Sequence, residues 1–112
     1  MRRTNFILTS LLAASAALAD VVPLPRAEWP STVAAAVPHI VAALHSAQKS
    51  IVRGTSKENL FMLQGEWGED VERLLGLNNG NVALVVAACG KPCPVDQATL
   101  LLMEAAWDAL EK

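Results

Sequence analysis

The feature that most constrains this chain is Val82 to Cys89, a run of eight residues without a polar side chain. Periodicity does not decide between strand and helix there. Three valines favour a strand, while Ala83, Leu84, Ala87 and Ala88 favour a helix. A strand must pair its backbone amides and carbonyls with another strand, and no other segment reads clearly as one. A helix started by Asn81 and stopped by Gly90 satisfies its own backbone, so the expectation is helix, and with it an all-α chain.

The rest of the sequence agrees with that expectation. Ser31 and Thr32 can cap a helix beginning at Val33, and Pro38 either kinks it or opens a new one at its first position. From Pro38 to Arg53 the residues Ile40, Val41, Leu44, Ala47, Ile51 and Val52 recur at three- and four-residue spacing. This predicts one amphipathic helix ending at Gly54. Leu60 to Leu63 is a short apolar patch interrupted by Gly65 and Gly68, where a break or loop is expected. Helix resumes over residues 66–76, with acids in its first turn and Trp67, Val71, Leu74 and Leu75 on one face. Asn78-Asn79-Gly80-Asn81 is a turn. A last helix, capped by Asp96, runs to about Glu111, apolar on all but a narrow strip. The expected architecture is a small bundle of four to five short helices over residues 31–112, a single domain.

Residues 1–19 read as an address. Arg2 and Arg3 form a positive n-region, Phe6 to Leu18 an apolar h-region, and Ala17-Leu18-Ala19 a small-x-small cleavage site before Asp20. The run is too short for a membrane span of about 20 residues. The expectation is a signal peptide and a secreted product with no integral membrane segment, extracellular, or periplasmic if the source is bacterial. Residues 20–30 hold three of the six prolines and read as an extended leader. A signal followed by such a Val/Pro leader looks like many small secreted proteins of filamentous fungi.

The secretory reading sets the chemistry of the two cysteines. Cys89 and Cys93 are expected to form an intrachain disulfide that pins the turn between the two most apolar helices. A redox pair would be expected to have two intervening residues and an activating helix N-terminus. His39 and His45 are six apart and face different sides of a helix, and no zinc-finger spacing is present, so no metal is expected.

Catalytic signals are equally sparse. Glu66, Glu69, Asp70 and Glu72 cluster, and Glu66 and Asp70 could share a face as paired carboxylates do. The simpler reading is a solvated first turn. Nucleophile-elbow and phosphate-loop patterns are absent. Neither an enzyme nor a cofactor is expected. With 9 Lys+Arg against 11 Asp+Glu, a net charge of −2 argues against a basic nucleic-acid-binding surface as the main feature and leaves room only for a local patch.

Three functional readings follow. The first is a small secreted interaction protein, non-enzymatic, binding a protein or cell-surface partner; its most concrete form is a fungal effector or virulence-associated protein. Trp29, in the leader, and Trp67, beside two glycines at a helix start and expected to be partly exposed, are its candidate contact residues. Trp107 is expected in the core. The second is a secreted carrier of a lipid or other apolar ligand, with an enclosed cavity lined by Val85, Val86, Leu101 and Leu102. The third is a bacterial periplasmic helical adaptor or chaperone.

Overall fold

The computed structural model describes residues 21–111. The expected signal peptide, residues 1–19, lies outside them, as does Asp20. Among these residues there are five α-helices: α1 (Val33–Ala43), α2 (Ser46–Arg53), α3 (Glu69–Leu75), α4 (Val82–Cys89) and α5 (Val95–Leu110). No strand occurs among the described residues. The expected all-α bundle is what forms.

α5 is the centre of the bundle, packed against α1, α4 and the segment joining α2 to α3. Its Ala98, Leu102, Met103 and Ala106 are wholly buried, with Ile40, Leu60, Leu75 and Leu84 brought against them from other elements. Trp107 is half-buried, and its indole N–H donates to Thr55 O at 2.8 Å.

The turn signals work as local chemistry. Asn81 caps α4, its side chain accepting from Leu84 N, and Gly90 ends it in the left-handed region at φ 74°. Thr32, rather than Ser31, caps α1 through Ala35 N at 3.1 Å. Asp96 does not cap α5; the helix begins at Val95 after Pro94 with no side-chain cap, and Asp96 lies in its first turn.

Two expected elements take a different form. The predicted helix from Pro38 to Arg53 is broken at Leu44–His45, and Pro38 sits inside α1 on its exposed side. Leu44 adopts an extended backbone (φ −77°, ψ 127°) with its side chain buried. His45 then caps α2, its Nδ1 accepting from Gln48 N at 3.3 Å. The restart leaves Ala47 and Ile51 exposed and Val52 as the one fully turned-in residue of α2.

The expected loop at Gly65 and Gly68 is instead continuous helical backbone. A 3₁₀ segment, Lys57–Leu63, passes into a π turn, Gln64–Gly68, which leads directly into α3. A Cβ at Gly68 would lie 3.4 Å from Met103 Sδ of α5. The glycine is a close-approach residue here, not a breaker.

Residues 21–30 dock on the bundle. Leu24 N donates to Leu74 O at 3.0 Å, Arg26 Nη2 to Asn79 O at 3.1 Å, and Trp29 Nε1 to Leu24 O at 3.2 Å. Residues Arg26–Glu28 form one 3₁₀ turn, and Pro30 is buried. This segment crosses the α3–α4 turn as a strap.

Candidate functional site

Among the described residues, a groove of about 420 Å³ lies between α2 and the π turn leading into α3. Its floor is apolar, made by Val52, Leu63 and Trp67. The α2 side contributes His45, Gln48 and Ile51, and the α3 side Glu66, Glu69, Asp70 and Arg73. The groove exists because α2 starts afresh at His45 and because helical backbone continues through the two glycines. The first is masked in the sequence by apolar spacing that runs through Leu44–His45, the second by glycines that read as breakers.

Within the groove the charges are unevenly matched. Asp70 accepts from Gln48 Nε2 at 3.2 Å and from Arg73 Nη1 at 3.1 Å, tying α2 to α3. Glu66 and Glu69 are exposed and take part in no ion pair among the described residues. The acidic cluster noted in the sequence is therefore divided. Glu72 faces another way, accepting from Asn78 Nδ2 at 2.8 Å and lying 3.0 Å from the buried Thr99 hydroxyl. Among the described residues no group of three His, Cys, Asp or Glu side chains is placed to hold a metal ion.

The two candidate tryptophans occupy different settings. Trp67, expected to be partly exposed, is buried at 3% exposure, because the π turn directs its ring into the core while its neighbour Glu66 stays in solvent. Trp29 is half-buried over Gly76, and the Arg26 guanidinium lies 4.4 Å from its ring centroid. The strap carries its own aromatic anchor onto the bundle.

The four residues proposed to line a carrier cavity do not gather round one. Leu102 is at 0% exposure inside the packed core. Val85 and Val86 border a separate open depression of about 200 Å³, together with Val82, Pro92, Cys93 and Val95. Leu101, half-buried, lines neither this depression nor the groove. Consecutive residues on a helix diverge by about 100°, and here that turns Leu102 into the packed core and leaves Leu101 half-buried beside it.

Cys89 and Cys93 lie at disulfide distance, with Cα atoms 6.4 Å apart, bridging the end of α4 to the loop before α5 as expected. Among the described residues no helix is long and apolar enough to cross a membrane.

A second exposed feature escaped the sequence reading. Phe61 and Met62 are 56% and 68% exposed, between the buried Leu60 and the half-buried Leu63. On a 3₁₀ segment of three residues per turn, four consecutive apolar residues cannot all face inward. That geometric limit was the available signal.

No known protein family, curated protein or solved structure matches the chain.

Proposed function

We propose that this chain is a small secreted, non-enzymatic interaction protein that acts by binding a protein or cell-surface partner. The observation that carries the reading is the adjacent pair Phe61 and Met62, held in solvent on an ordered segment whose flanking leucines anchor it. Large apolar side chains presented this way favour a partner's surface over water by about 25 cal/mol per Å² covered. The filled centre of the bundle supports binding at a surface over carriage inside. The apolar depression at Val85 and Val86, about 200 Å³, is smaller than the roughly 300 Å³ at which ligand pockets usually begin. In its most concrete form the protein is an effector or virulence-associated protein exported through its N-terminal 19 residues.

The experiment is native mass spectrometry of protein recovered from the medium after expression of the full chain in a secreting host. The expected result is a species beginning at Asp20, carrying one disulfide and no adduct. Retention in the cell overturns the secreted reading, and a stoichiometric apolar adduct replaces the interaction reading with the carrier.

A further inference from the structure

The boundary between α1 and α2 rests on a side chain whose hydrogen-bonding role depends on its proton. Leu44 leaves α1 with an extended backbone, and α2 begins where His45 Nδ1 accepts from Gln48 N at 3.3 Å. An imidazole nitrogen accepts only while it carries no proton, so this cap requires the neutral ring with its hydrogen on Nε2. The imidazolium has a donor at each nitrogen and no acceptor. It also sets a positive charge at a helix N-terminus, the end that disfavours cations. Protonation thus removes the cap and opposes the helix start at the same ring.

Little burial holds that first turn in place. Ser46 and Ala47 are exposed, Gln48 and Lys49 are half-buried, and Val52, near the other end of α2, is its buried residue. Besides the cap, Lys49 N donates to His45 O at 2.9 Å and Gln48 Nε2 to Asp70 Oδ2 at 3.2 Å. A segment with so few buried contacts sits at the low end of local stability, where the loss of one cap decides the balance.

The charges around the ring give the protonated form a place to go. His45 lines the groove together with Glu66 of the π turn and with Glu69, Asp70 and Arg73 of α3. Arg73 pairs with Asp70, so three carboxylates against one guanidinium leave that wall negative. On α2 itself the charged residues are Lys49 and Arg53, and α1 carries His39 and no charged residue.

We propose that His45 makes the α1–α2 junction a pH-sensitive hinge. With the ring neutral, Nδ1 holds the first turn of α2 and fixes that wall of the groove. With the ring protonated, the cap is released, the turn from Ser46 to Lys49 frays, and the imidazolium swings toward Glu66, Glu69 and Asp70. The groove has one shape in neutral surroundings and a looser one in acidic surroundings. Neither Phe61 nor Met62 lines it, so the hinge is independent of the interaction reading above.

The test is an NMR titration of the full chain from about pH 8 to about pH 5, the interval in which histidine side chains in general change charge. H39Q leaves His45 as the one imidazole and so assigns its ring signals. On acidification the Gln48 amide proton is expected to move upfield, and the Cα shifts of Ser46 to Lys49 to move toward unfolded values, with the midpoint of the His45 ring protons. H45N supplies a carboxamide oxygen that caps at every pH in this interval, and there the same signals are expected to keep their neutral positions. In H45A they are expected at the acid positions throughout. A His45 ring that titrates while the Gln48 amide stays fixed overturns the proposal. So does an acid shift of that amide that persists in H45N, or one whose midpoint differs from that of the ring.

Discussion

The indole of Trp29 lies across the backbone of Gly76, so close that a Cβ on that glycine would overlap the ring atoms Cζ2 and Cε2. Gly76 also ends α3 in the left-handed region, at φ 68°. Conformation and packing thus demand glycine at the same position for separate reasons. Through this contact the strap of residues 21–30 is fixed to the α3–α4 turn.

G76A should therefore cost more than a backbone penalty alone. A side chain in the left-handed region costs about 1–2 kcal/mol, and forcing the ring away adds about 1–3 kcal/mol of overpacking. Gly90 provides the comparison, with φ 74° and open space at its Cβ. Urea denaturation should place G76A well below G90A in stability. Equal losses would mean that the strap yields without cost.

Asn81 joins the same three pieces by hydrogen bonds. Its Nδ2 donates to Pro30 O at 3.2 Å and Leu75 O at 2.9 Å, while Oδ1 accepts from Leu84 N at 3.3 Å. N81A removes the cap of α4 and strands two buried carbonyls, a loss of about 2–4 kcal/mol. N81D keeps the capping oxygen but turns an acceptor toward Pro30 O and Leu75 O. Thermal unfolding should show N81D no more stable than N81A, whereas a capping role alone would leave N81D near the wild type.

The contrast between Asn81 and Trp29 shows how far the sequence is legible. The capping by Asn81 and the stop at Gly90 are local chemistry, readable from adjacent residues, and they bound the helix of residues 82–89 that the lack of a pairing strand favours. The Trp29–Gly76 contact joins segments distant in the chain, and no periodicity encodes it. The break at Leu44–His45 was hidden because apolar spacing runs through it, and only the cap by His45 Nδ1 separates the helices. The acids of the groove were visible as a cluster, but their division among Arg73, Asn78 and solvent depends on which elements pack beside α3.

Phe61 and Leu60 are neighbours with opposite roles. F61S/M62S alters side chains already in water, and stability should change by no more than about 0.5 kcal/mol. L60A empties a wholly buried position and should cost about 2–5 kcal/mol. Urea midpoints measure both. Binding of fluorescently labelled protein to intact partner cells should fall in F61S/M62S at unchanged stability, and undiminished binding would remove this pair from the interface.

The Cys89–Cys93 link closes a loop of five residues between the end of α4 and the start of α5. So short a loop restricts the unfolded chain modestly, by about 2 kcal/mol in the chain-entropy description. Both flanking helices hold their own backbone hydrogen bonds, and Leu84, Ala98 and Leu102 join them through the buried core. C89A/C93A should therefore keep its far-ultraviolet circular dichroism and its cooperative transition, with a lower urea midpoint and a nearly unchanged slope. A loss near 5 kcal/mol, or a non-cooperative transition, would show that the link organises α4 against α5 in addition to restricting the unfolded chain.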